Sequence, residues 1–81
     1  MSSLISYVAE LVSKGKDVII HVREDAVEVY HDEDGHLVGS TFPPVKFMDL
    51  YKQLVGRFGE LVKPPKDNII IVSKKRYERL W

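Results

Sequence analysis

Lys74, Lys75, Arg76 and Arg79 are interleaved with Tyr77 and Trp81 in the last stretch of this 81-residue chain. Lys46, Lys52, Arg57 and Lys63 flank the apolar side of an earlier amphipathic segment, and Arg23 follows a run rich in Val and Ile. Single-stranded nucleic acid asks two things of a protein: cations along its phosphates and flat rings under its bases. Stacking of one base on an aromatic ring contributes about 1–3 kcal/mol. Tyr30, Tyr51, Tyr77 and Trp81 are the available platforms. Packing in the core is the competing role of an aromatic, and it suits Phe47, Tyr51 and Phe58. For Trp81, packing against a neighbour competes evenly with stacking.

Other chemistries have thinner support. His21, His31 and His36 raise the question of a metal, which needs three or four ligands on one small sphere. His31 and His36 can approach across a hairpin near Asp32 and Asp34, but period-2 alternation sends His21 to the other face. No metal site is expected. Asp32-Glu33-Asp34-Gly35 lacks the acids of a calcium-binding loop, since Tyr30 and Thr41 stand where they are required. Gly35 and Gly39 are not followed by the Lys-Ser/Thr of a phosphate loop. No Ser sits in a Gly-flanked strained turn. His21 opposite Glu28 is an acid–base pair in form, with a cross-strand ion pair as the plainer role. There is no cysteine, which removes thiol catalysis, disulfides and zinc–thiolate sites. The chain reads as no enzyme, and no cofactor is expected.

The net charge is zero, yet its distribution is uneven. Residues 1–40 carry three basic and eight acidic side chains, a net −5, whereas residues 41–81 carry nine and four, a net +5. Such asymmetry fits an anionic ligand, a mixed solvated surface or acidic-to-basic pairing of subunits. One Asn, one Gln, no Cys and 30% charged residues resemble proteins of hot environments. At 9.3 kDa the chain is one domain, residues 1–81, with a thin core. No apolar run reaches the roughly 18 residues of a membrane span. Met1-Ser2-Ser3 opens no secretory signal, so a cytoplasmic protein is expected.

Positioning these groups falls to seven predicted elements. Leu4, Ile5, Val8, Leu11 and Val12 have helical spacing, with a serine cap before them and Gly15 after, giving a helix over 3–14. Val18–Arg23 and Ala26–His31 are strands. A two-residue loop would pair Val22 with Val27, Ile20 with Val29 and Ile19 with Tyr30. Asp34-Gly35 suits a turn into a third strand, His36–Phe42, which Pro43-Pro44 ends. Phe47, Met48, Leu50, Tyr51, Leu54, Val55, Phe58, Leu61 and Val62 span an arc of roughly 160° on a helix over 45–63, closed by Pro64-Pro65. Ile69-Ile70-Ile71-Val72 is an uninterrupted apolar run that suits a strand covered on both sides. Ser73 can cap a terminal helix, Lys74–Leu80. The order α-β-β-β-α-β-α is an α+β fold: a four-stranded, mostly antiparallel sheet with helices on the Val18/Ile20/Val29 face. The fourth strand is expected beside the first and parallel to the third. The second sheet face then holds Ile19, His21, Arg23, Glu28, Tyr30 and Leu37 with no helix over it. A face of that kind suits a subunit interface or a base-stacking surface. Ile19, Leu37 and Phe58 are the candidate interface residues.

The strand block Asp25–Tyr30, its continuation Asp34–Val38 and the amphipathic helix before Ile69 resemble the ThermoDBP-related proteins, small archaeal single-stranded DNA-binding proteins. The likeness covers most of the chain in layout. It implies homo-oligomers that bind single strands with little sequence preference, in clefts lined by basic and aromatic residues, and it assigns no role to any single position. The expectation is a non-enzymatic binder of single-stranded DNA or RNA, a dimer or tetramer, using Arg23, Tyr30, Lys46, Lys52, Arg57, Lys74, Lys75, Arg76, Arg79 and Trp81. The alternative is an oligomeric scaffold with no nucleic-acid ligand.

Overall fold

Helix α1, Ser2–Ser13, buries Leu4, Ile5, Val8, Leu11 and Val12, the stripe its spacing dictates. It stops where Gly15 takes a φ of 81°, and the Lys16 N–H returns to the Leu11 carbonyl at 3.0 Å. Residues 2–75 are described in this computed structural model. The terminal helix expected over Lys74–Leu80 therefore falls largely outside the described residues. At its start the Lys75 N–H does donate to Ser73 Oγ at 3.0 Å.

Strands β1 (Val18–Val22), β2 (Val27–Glu33) and β3 (His36–Phe42) form an antiparallel meander. The pairing of Ile20 with Val29 and Ile19 with Tyr30 is the expected one. Asp34 and Gly35 have φ of 52° and 85°, the two left-handed residues of a tight primed turn. Helix α2 spans Phe47–Phe58 and a short 3-10 turn follows, Gly59–Leu61. This is shorter than the helix expected over 45–63. Gly59, at φ 57°, ends the α-helix five residues before the prolines, its N–H bonded to the Val55 carbonyl.

Strand β4, Ile69–Val72, lies beside β1 in the order β3-β2-β1-β4, and every pairing is antiparallel. It is thus antiparallel, not parallel, to β3. The reason is a second reversal that the helix alone does not provide. After the 3-10 turn the chain runs on in extended form, with Val62 bridging Val72 and Lys66 bridging Ile69. Asp67, at φ 55°, turns it back. The outer edge of β4 is thereby partly paired.

One face of the sheet, formed by Val18, Ile20, Val22, Val27, Val29, Ile70 and Val72, is buried in a single cluster with the α1 stripe and with Leu50 and Leu54 of α2. Ile69 and Ile71 alternate onto the other face and stay partly exposed, so β4 is covered on one side and not on both. Over β3 the cover is thin. Tyr7 reaches it from α1, accepting a hydrogen bond from Ser40 Oγ at 3.1 Å and packing on Phe42 at 5.5 Å between centroids. Val38, expected on the buried face, remains 39% exposed for want of anything more. The wide arc of α2 is likewise not filled, since Met48 and Val55 are exposed. Among the described residues no helix is long and apolar enough to cross a membrane.

Candidate nucleic-acid interface

Alternation along the strands builds the open face row by row. Gly39 pairs with Tyr30, Tyr30 with Ile19 and Ile19 with Ile71. Beyond Ile71 the row reaches Lys63, whose N–H bonds the Ile71 carbonyl at 2.8 Å. An aromatic ring and two isoleucines thus cross the sheet in one line that ends at a lysine.

Gly39 was not singled out by residue type, yet it shapes this row. A Cβ added there would stand 2.6 Å from Tyr30 Cε1 and 2.8 Å from Cδ1. The ring therefore leans over β3 into the space that any other residue would fill. Tyr30 and Gly39 form a non-hydrogen-bonded pair, the kind in which facing side chains come closest. The signal was present in the sequence as a glycine opposite an aromatic in the hairpin register. The Glu28 carboxylate accepts the phenolic hydrogen bond and raises the Tyr30 pKa above its ordinary 10.0.

Glu28 also draws the His21 imidazole and the Arg23 guanidinium to this end of the face. His21 Nδ1 lies 3.3 Å and the Arg23 guanidinium 3.5 Å from its carboxylate, and Arg23 lies 3.7 Å from Asp25. His21 and Glu28 thus form the cross-strand pair considered above. Arg23 and Lys46 meet around a hollow of about 410 Å³, lined also by Glu24, Pro44, Phe47 and Asn68. At the opposite end of β4, Lys63, Lys74 and Lys75 surround a second hollow of about 360 Å³ with Glu60 and Leu61. Lys75 is tied to Asp17 at 3.1 Å, and the same carboxylate accepts the hydroxyl of the fully buried Ser73.

The expected cations are therefore divided. Arg23 with Lys46, and Lys74 with Lys75, mark two ends of the sheet. Lys52 and Arg57 are exposed on α2, on the layer behind the open face, with Arg57 5.8 Å over the Phe58 ring. Arg76, Arg79 and Trp81, like Tyr77, lie outside the described residues. Tyr51 stacks on Phe47 at 6.2 Å and packs against the core, as Phe58 does. Of the candidate interface residues, Ile19 and Leu37 share the open face, with Leu37 66% exposed, whereas Phe58 belongs to the helix layer.

His31 is buried although it stands near the end of β2. It is 6% exposed on the helix-covered face, its Nε2 3.1 Å from Glu33 and its Nδ1 buried with no partner among the described residues. That bond, with the Lys16 charge, lowers the Glu33 pKa below its ordinary 4.5. Among the described residues no group of three His, Asp or Glu is placed to hold a metal ion. No protein-family model, no curated protein and no solved structure matches the chain.

Proposed function

We propose that this protein binds single-stranded DNA or RNA without catalysis and with little sequence preference, as a homo-oligomer in the cytoplasm. The observation that carries the reading is the Tyr30 ring seated over Gly39 in an apolar row, with cationic hollows beyond both ends of β4. Bases stack on Tyr30 and lie against Ile19 and Ile71, while Arg23 and Lys46 at one end and Lys63, Lys74 and Lys75 at the other meet phosphates. The uneven charge of the two halves and the likeness in layout to the ThermoDBP-related proteins agree with this reading.

Fluorescence anisotropy with labelled oligo-dT, oligo-U and duplex DNA at two salt concentrations tests it. Single strands are expected to bind more tightly than duplex, with a log–log salt slope of roughly 0.7 per phosphate neutralised. Tyr30→Phe should retain affinity, Tyr30→Ala should lose about 1–3 kcal/mol, and Lys63→Ala should lower the slope. Lys52→Ala and Arg57→Ala, on the far layer, should leave it unchanged.

A second reading, an assembly module with no nucleic-acid ligand, is favoured by one specific observation. Arg23 is engaged by Glu28 and Asp25, and the described cations do not converge on one groove. Absence of binding to any oligonucleotide at low salt, from a protein of oligomeric mass, would establish that reading instead.

A further inference from the structure

The outer edge of β3 is unpaired among the described residues. Its sequence, His36-Leu-Val-Gly-Ser-Thr-Phe42, has no Lys, Arg, Asp, Glu or Pro, and its register against β2 is continuous, without a bulge. Natural edges are blunted by those very devices because a flat, uncharged edge is a template for another strand. Here both faces of the edge also carry exposed apolar side chains, Leu37 at 66% and Val38 at 39%. We propose that β3 pairs antiparallel with β3 of a second copy of this chain about Gly39, joining two four-stranded sheets into one of eight strands.

The register follows from the hairpin. The tight turn makes Glu33 and His36 the first hydrogen-bonded pair, so residues 36, 38, 40 and 42 bond to β2. Leu37, Gly39 and Thr41 consequently aim their N–H and C=O groups at the open edge. Three outward residues centred on Gly39 are self-complementary under a two-fold axis. Gly39 faces Gly39, Leu37 faces Thr41 and Thr41 faces Leu37, which satisfies about six backbone hydrogen bonds.

Charge selects a second copy as the occupant. The acidic turn Asp32-Glu33-Asp34 stands at one end of β3, and Lys46, just past Pro43-Pro44, stands at the other. Neither Asp34 nor Lys46 makes an ion pair within the described residues. Antiparallel pairing about Gly39 sets each acidic turn beside the partner's Lys46 end, twice by symmetry. A parallel or shifted strand would lose this match. The joint is independent of nucleic-acid binding. Its consequence for binding rests on the reading above: the two Tyr30 rings, rooted on β2 strands about 14 Å apart across the joint, each lean toward it over their own Gly39, and two short platforms become one track.

Sedimentation equilibrium of the full chain, without nucleic acid, over roughly 5 to 500 µM suits an interface at the low end of stable sizes. The wild type is expected to approach twice the 9.3 kDa chain mass. Thr41→Pro deletes an outward N–H and leaves the β2 ladder intact, as edge prolines do. Leu37→Lys places a charge on the edge. Both should remain at the monomer mass with an unchanged circular dichroism spectrum. Lys46→Glu should weaken the dimer about fivefold at low salt and less at high salt. Ile71→Lys, on the open face away from the edge, should leave the dimer intact. A wild type that stays monomeric overturns the proposal. So does a dimer that survives Thr41→Pro but is lost in Ile71→Lys, since that dimer joins through the faces. Because no oligonucleotide is present, either failure leaves the nucleic-acid reading to its own test.

Discussion

Replacing Gly39 with Ala tests the seat of Tyr30 without reference to any ligand. The added Cβ would lie 2.6 Å from Cε1, where carbon atoms in contact prefer about 3.5–4.0 Å. The ring edge must therefore retreat by about 1 Å. Turning the side chain that far costs roughly 0.5–1.5 kcal/mol as it leaves its rotamer well, and the lost contacts with β3 add about 0.5 kcal/mol. Against this, Ala in place of Gly restricts the unfolded chain, a gain of about 0.4–1 kcal/mol where the backbone permits it. Gly39 is not in the left-handed region, so the backbone does permit it. In the wild type the substitution should thus be neutral or destabilise by up to about 1.5 kcal/mol. In a Tyr30→Ala background the overlap is gone and the gain alone remains. Urea unfolding of the wild type, both single variants and the double variant closes a cycle. A coupling of about 1–2 kcal/mol is expected between the two positions, with unchanged m-values. If Gly39→Ala stabilises both backgrounds equally, with coupling below about 0.3 kcal/mol, the ring does not occupy that space and the reasoning fails.

Two further outcomes follow from charge. The Tyr30 phenol donates to Glu28, so its ultraviolet titration midpoint should lie above 10.0, and Glu28→Gln should bring it down toward that value. Because the folded-state value is the higher one, this bond favours folding below pH 10 and its contribution fades as pH rises through the folded midpoint. Glu33 has the opposite sense: its lowered pKa means a contribution present above pH 4.5 and lost as pH falls through the folded value. Glu33→Gln should accordingly be less stable than wild type at neutral pH, with the difference vanishing in acid, as thermal melts across pH 2–7 would record.

The β1–β2 register was legible in the sequence, although β1 stops one residue before the expected Arg23 and β2 runs from Val27 to Glu33, not from Ala26 to His31. Alternating Val and Ile, together with Asp34-Gly35, fix which side chains oppose one another, because a shift of one position would turn Val27 and Val29 to water. Strand direction after α2 was not legible. The reversal is made in Val62–Lys66, where two prolines mask an extended segment as a mere helix stop, and at Asp67, whose turn preference does not by itself tell which way the chain leaves. Gly59, at positive φ, ends the helix before the prolines do. The site was half readable. Tyr30, Arg23 and Ile19 share a face because parity puts them there. Lys52 and Arg57 do not join them, since a helix that covers one side of a sheet cannot bring its outer residues to the other. Lys63 was named as a flank of the helix and lies instead beside β4, for the helix stops short of it.

The late arrival of β4 bears on how the molecule is made. The central strand β1 meets its first neighbour across a two-residue loop, but its second neighbour is distant in the chain, with Val18 facing Val72. During synthesis the meander emerges and closes its hairpins within microseconds, whereas residues are added at only about 5–20 per second. For some seconds the nascent chain holds β1 with one edge bare, and the run from Ile69 to Val72 enters the cell while that edge awaits it. A second ribosome on the same message offers an identical apolar run to the same edge. Correct assembly therefore depends on the helix and the Asp67 reversal holding β4 close to its own β1, so that intramolecular closure outpaces exchange between neighbouring nascent chains.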